Sequence, residues 1–276
     1  MTEAQACSCL GMTTNRANYL EFPMLTLRVL LLALALALPA LAQTPSDDGP
    51  SIAAGAKDAA AQLQAYLDKI AKSRSRPDFT KPPASDLFGR IFDFGKLAAL
   101  PAPSASEIPW LLTWTSAASQ ASKAILYFGI TPPADPIADR AAIERNMVEF
   151  EDQQALAFSF IVRIAAREAQ TMFLFMDQLT PEQRTPIREQ GFTTARTGGA
   201  ETVYGALITL TSDLKPANER LLSAAIGDTA DVWVEDILPK DRPDIVRQAA
   251  KAQSAVKDAE AKKSLAVFSA ALAAAK

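Results

Sequence analysis

Between Pro136 and Pro181 the chain carries neither proline nor glycine. At 1.5 Å per residue this stretch can form one uninterrupted helix of roughly 43 residues, about 65 Å long. Asp135-Pro136 supplies its start, an N-cap aspartate with proline at the first helical position. Thr180-Pro181-Glu182-Gln183 ends it and opens the next helix, with Thr180 as N-cap, Pro181 at N1 and Gln183 at N3 to close a capping box.

The middle of this segment, residues 155–184, resembles a membrane span but contains Arg163, Arg167 and Glu168. Projected at about 100° per residue, Arg145, Glu149, Asp152, Ser159, Arg163, Arg167, Gln170, Thr171 and Asp177 fall in one polar stripe roughly 120° wide. Met147, Phe150, Phe158, Ile161, Val162, Ile164, Met172, Phe173, Phe175 and Met176 lie mostly opposite. The two arginines, spaced i and i+4, therefore belong to a wet or inter-helix side. A transmembrane reading fails, because two arginines at the centre of a span would cost several kcal/mol and the rest of the stripe is polar too.

Three residues depart from the stripe: Glu151, Gln154 and Glu168 project into the apolar sector. For Glu168 the favoured expectation is a position at the edge of a broad apolar face, reaching solvent or an arginine on a neighbouring helix. The alternative is a buried carboxyl with a raised pKa, serving as a general acid or a ligand-gripping group. Glu151 and Glu168 stand about 25 Å apart along a helix and cannot form one carboxylate pair.

The rest of the chain reads the same way. Helical spacing is expected over Ile52–Ser73, Ser85–Leu100, Ser106–Ile130, Val203–Leu214 and Pro216–Ile226. Gly198-Gly199 reads as a helix break, and Thr229–Leu238 as a short helix in preference to a strand. Asp241–Lys276 reads as one long Ala-rich helix with Ile245, Val256, Leu265, Phe268 and Leu272 on its apolar side. No alternation of period two and no Asn-Gly or Asp-Gly hairpin occurs. The expected fold is all-α, an irregular bundle of about six to eight helices that includes a long helix over 137–179 and the C-terminal one. Trp110 and Trp114, one turn apart, are candidates for an aromatic platform, with core packing the stronger reading.

Composition restricts the chemistry. The chain has no histidine, and its cysteines are Cys7 and Cys9. Zinc and copper sites, haem with His or Cys ligands, Fe–S clusters, Ser-His-Asp triads and Cys-His dyads all lack their essential parts. A di-iron site of the ferritin kind is excluded with them, since it needs Glu-x-x-His. No cofactor and no metal is expected, and an enzyme would have to work with carboxylates, Lys, Tyr, Ser, Thr and Arg. With a formal net charge of −3 and no run of five or six basic residues, nucleic acid is not an expected partner.

Residues 24–43, MLTLRVLLLALALALPALAQ, have the basic start, apolar core and small-residue cleavage site of a secretory signal peptide, with cleavage expected between Ala42 and Gln43. Residues 1–23 make a poor n-region, so translation is expected to start at Met24, with Met12 as the alternative. On this reading 1–42 is a leader, and 43–276 is a single all-α exported domain, periplasmic or secreted, without thiols and with no integral span after signal removal.

Of the short motifs, Ser212-Asp213-Leu214-Lys215 matches S-x-x-K but lacks the partner motifs of β-lactamases in order, and is rejected. Leu179-Thr180-Pro181-Glu182-Gln183 resembles the L-T-x-x-Q motif of small periplasmic chaperone and stress-sensor proteins, over five residues and in one copy. That resemblance implies a holdase or sensing role. The leading expectation is a non-catalytic exported helical protein of the bacterial envelope. It would act through a protein partner or self-association, the latter through Asp241–Lys276 as in a coiled coil. Its contact candidates are Glu168, Arg163, Arg167, Trp110 and Trp114. The reading from a different class is a carboxylate-dependent hydrolase of envelope glycans, which needs two carboxyl groups within about 10 Å across one cleft.

Overall fold

The computed structural model describes residues 48–130 and 136–275. The leader, the Ala42–Gln43 junction, both cysteines and Asp135 lie outside the described residues.

Among the described residues the protein is all-α, with more helices than the expected six to eight. In chain order they are α1 (Gly49–Lys72), α2 (Ala84–Ile91), α3 (Phe94–Ala98), a 3-10 turn (Ala105–Glu107), α4 (Ile108–Leu126), α5 (Pro136–Glu149) and α6 (Glu151–Asp177). After a second 3-10 turn (Pro181–Gln183) come α7 (Pro186–Thr209), α8 (Pro216–Asp228), α9 (Ala230–Asp236), α10 (Arg242–Ala255) and α11 (Ala259–Ala274). No described helix is long and apolar enough to cross a membrane.

The extra helices come from breaks at points where no proline or glycine stands. The long helix over 137–179 is divided at Phe150, whose φ of −109° and ψ of 31° leave the helical region. Phe150 is buried, edge-on to Phe79 at 5.8 Å and Phe128 at 5.9 Å. Asn146 fixes the approach to this bend, donating from Nδ2 to the Leu126 and Phe128 carbonyls at 2.9 Å. On the far side the Glu151 carboxylate accepts from the Lys215 backbone N–H and the Asn218 Nδ2, each at 2.7 Å. Tertiary partners thus pull the two halves in different directions.

The C-terminal helix is likewise two, α10 and α11, folded back on each other. Asp258 caps α11 by accepting from the Glu260 and Ala261 backbone N–H groups at 2.9 and 3.0 Å. Buried Glu219 accepts from the amides of Lys257 and Asp258 at 2.9 and 2.8 Å, which satisfies the N–H groups freed at the break. The apolar side of this hairpin (Ile245, Ala249, Val256, Leu265, Phe268, Leu272) is buried in the core, so these residues are taken up within the fold.

α6 is the spine. Its Phe160 and Ile164 face α1, α2 and α4, where Phe160 packs on Trp114, Phe92 and Phe94 at centroid distances of 5.3, 5.6 and 5.3 Å. Its Val162, Ala165, Ala166 and Ala169 belong to a second apolar cluster built with α7–α11. Small residues on that side let α7, α8 and α9 come close. A third cluster joins Met172, Phe175 and Met176 to Ile108 and Leu112 of α4.

Gly198-Gly199 does not break a helix. α7 runs unbroken through both, and the reason is contact: a Cβ on residue 199 would lie 2.2 Å from the Asp236 Oδ2 and 3.2 Å from the Trp233 ring. Glycine there exchanges helix propensity, about 1 kcal/mol, for the close seating of α9.

Candidate functional site

Between Ser159 and Thr171 the polar stripe of α6 is an inter-helix seam. Arg167 is held in bidentate fashion by buried Glu107, through Nε–Oε2 at 2.8 Å and Nη2–Oε1 at 2.7 Å, and donates also to the Pro101 carbonyl at 2.6 Å. Arg163, partly buried, donates from Nη2 to Asp228 at 2.7 Å. Ser159 and Thr171, in the same stripe, are fully buried; their hydroxyls donate to the Leu221 carbonyl at 3.3 Å and the Arg167 carbonyl at 2.6 Å. Both arginines are therefore occupied in joining α6 to its neighbours.

The tryptophans are core residues. Trp114 is fully buried and its Nε1 donates to the Ile91 carbonyl at 2.8 Å, while Trp110 is 6 % exposed and packs on Gly49. An aromatic platform needs an open ring face, and neither residue offers one.

Glu168 differs from its favoured expectation. It is 6 % exposed and meets no arginine. Its Oε1 accepts from the Thr115 hydroxyl of α4 at 2.5 Å. Burial drives its pKa up to about 7, against a smaller lowering by the Thr115 hydroxyl. The burial named in the alternative reading is found, with the raised pKa that follows from it. The position is recessed because α4, α7 and α9 all close over this turn of α6.

Glu168 shares a small pocket with an acid that sequence reading missed. The pocket is lined by Glu168, Ala169 and Met172 of α6, Phe192 and Gly199 of α7, and Asp236 at the end of α9. Asp236 is 3 % exposed, and its Oδ2 is buried with no hydrogen-bond partner. Burial pushes its pKa up to about 7, opposed in part by the charge of Arg196. Arg196 itself is directed elsewhere: Nε and Nη2 donate to the backbone carbonyls of Asp236 and Glu235 at 2.8 and 2.6 Å. Its guanidinium lies over the Phe173 and Phe192 rings at 5.5 and 5.6 Å. It neutralises the carbonyl end of α9 and braces α7 against α6.

The chemical capacity of this pocket is limited by its size. The space is that of about one water molecule, which a sugar ring cannot enter. Among the described residues no group of three or more acidic, Cys or His side chains could hold a metal ion. Two carboxyl groups in one small pocket can exchange protons with the medium, and Oδ2 of Asp236 lacks a hydrogen-bond partner.

Gln154, the second residue off the stripe, is buried and reciprocally bonded to Ser122, accepting from its hydroxyl at 3.0 Å and donating to its carbonyl at 3.2 Å. At the L-T-x-x-Q segment the predicted capping box is formed: the Thr180 side chain accepts from the N3 backbone, and the Thr180 amide donates to Gln183 Oε1 at 2.9 Å. It caps a 3-10 turn, and α7 begins only after a second cap at Thr185-Pro186.

No family model matches the chain, and neither a curated protein nor a solved structure matches it.

Proposed function

We propose that the protein is an exported, non-catalytic helical protein of the bacterial envelope that acts by binding another protein through α5. The observation carrying this reading is the exposure of large apolar side chains on that helix: Val148 is 78 % exposed and Ile137 84 %. Eleven residues apart, they lie within about 20° of each other around the helix. Ile143 and Asn146 are buried, so α5 is anchored along one edge and presents the other. The charged and aromatic residues that could have served chemistry are occupied within the fold, as Arg167 by Glu107 and Trp114 by the Ile91 carbonyl. The pair Glu168–Asp236 has no room for a glycan beside it. The L-T-x-x-Q residues are used in capping their own turn, which gives the chaperone reading no support of its own.

The test is a pull-down from envelope extract with the protein beginning at Gln43, run beside the Ile137→Ser/Val148→Ser variant, with light scattering on both. A partner retained by the parent and lost in an equally folded variant supports the proposal. A partner retained equally by both, or by neither, refutes α5 as the contact. A change in mass of the protein alone would identify a second copy as the occupant.

A further inference from the structure

We propose that Asp236, Glu168 and the Gly199 notch form a proton-operated latch, closed while the carboxyls are neutral and released when they ionise, with α9 as the moving part. Asp236 is the last residue of α9, and its carboxyl lies directly on the α7 backbone, since any side chain at 199 would begin 2.2 Å from Oδ2. Glu168 reaches the same pocket from α6. Three helices therefore meet at two buried acids.

Among the described residues no cation forms an ion pair with either acid. Arg196, on α7, is the cation in the lining, and its donors are directed at the Glu235 and Asp236 carbonyls. On α6, Arg163 and Arg167 turn away to Asp228 and Glu107. On α7, Arg188, Glu189 and Glu201 do not line the pocket. On α8, Glu219 holds the amides of Lys257 and Asp258, and Arg220 pairs with Asp258. Arg242 of α10 donates to the Val234 and Ala275 carbonyls at 3.2 and 2.8 Å while its Nε, like Oδ2 of Asp241, is buried without a partner; neither residue lines the pocket, and Lys262 and Lys263 of α11 are exposed.

An ionised carboxylate enclosed in this way lacks a hydrogen-bonded counter-charge, Arg196 opposing it through its charge alone, and the chain relieves it by keeping the proton or by moving the group. Moving is open to the Asp236 end of α9, because the helix is only seven residues long and Asp236 is followed at Ile237 by extended backbone, φ −66° and ψ 119°, while Trp233 one turn earlier stays anchored in the core. α6 has no such freedom, being packed on both sides. Burial raises both groups to about 7, so the latch would work near neutrality.

Hydrogen exchange of the full chain followed by mass spectrometry tests this. Rates are corrected for the intrinsic pH dependence of exchange. Protection of segment 230–237 is expected to fall at least about tenfold between about pH 5.5 and about pH 8.5, while segment 108–126 keeps its protection. The Asp236→Asn variant should abolish the fall. Glu168→Gln should reduce it, and serves alone if the first variant does not fold. Parallel loss in both segments, or an unchanged slope in the folded variants, overturns the latch. Recovery of protection by millimolar magnesium or calcium at the higher pH also overturns it, in favour of a cation site.

Discussion

Replacing Arg167 by methionine should destabilise the protein by about 3–5 kcal/mol, the usual cost of removing one partner from a buried ion pair. The structure sets that magnitude. Glu107 has a side chain only 4 % exposed and Arg167 one 13 % exposed, and their two contacts of 2.7 and 2.8 Å form a parallel, charge-assisted fork. At an effective dielectric near 20, unit charges about 4 Å apart attract by about 4 kcal/mol. Removing the guanidinium forfeits that attraction and leaves the Glu107 carboxylate enclosed, whereas the exposed Pro101 carbonyl that Nη2 serves at 2.6 Å can turn to water. Because desolvation was the opposing cost, taking away both charges should cost far less: Arg167→Met with Glu107→Leu should return to within about 2 kcal/mol of the parent. Urea denaturation followed by circular dichroism measures all four corners of the double-mutant cycle, with equal m-values as the check that one transition is compared. If Arg167→Met costs less than about 1 kcal/mol, or if the double variant is no more stable than the single one, Arg167 is not a structural clamp. A role outside the fold would then have to be sought for it.

Stability should fall as the pH is raised from about 4 to about 7. Asp236 and Glu168 have folded-state pKa values near 7 against unfolded values of 3.8 and 4.5. Their contribution is thus complete below the unfolded values and gone above the folded ones, about 3–4 kcal/mol for each. Urea midpoints across that range should show the decline in the parent and about half of it in Asp236→Asn; a flat or rising profile in the parent would contradict the burial of both acids. Gly199→Ala should cost about 1–3 kcal/mol, since its methyl group overlaps Oδ2 of Asp236. The same substitution in an Asp236→Ala background should cost less than half as much, and equal costs in both backgrounds would show that the clash lies elsewhere.

The sequence is most legible where a boundary is set locally. Pro216 begins its helix at N1, as proline can without losing a hydrogen bond, and the short helix expected over Thr229–Leu238 is present as Ala230–Asp236, whereas Pro181 opens only a 3-10 turn and α7 starts at Pro186. The helical projection placed the arginines correctly to one side of α6, because it depends only on the 3.6-residue repeat. It could not pair them, since Glu107 and Asp228 lie 60 and 65 residues away in sequence. The breaks at Phe150 and at 256–258 were illegible for the same reason: each is produced by contacts from other helices, with no proline or glycine to announce it.

The most instructive misreading is Gly198-Gly199. Glycine weakens a helix and also allows another chain segment to approach it, and the first property alone is visible in a single sequence. A doublet inside α7 costs about 2 kcal/mol relative to alanine, so its presence implies something gained in return. Here the gain is the seating of Trp233 and Asp236 against the helix. Asp236 itself gave no periodic signal, because a seven-residue helix is too short to define a face. The two acids could therefore be connected only by asking which distant residue needs the space that the glycines leave. The latch has the same requirement: it works only while residue 199 has no side chain, so Gly199→Ala should uncouple α9 from pH by holding Asp236 out of the pocket at every pH.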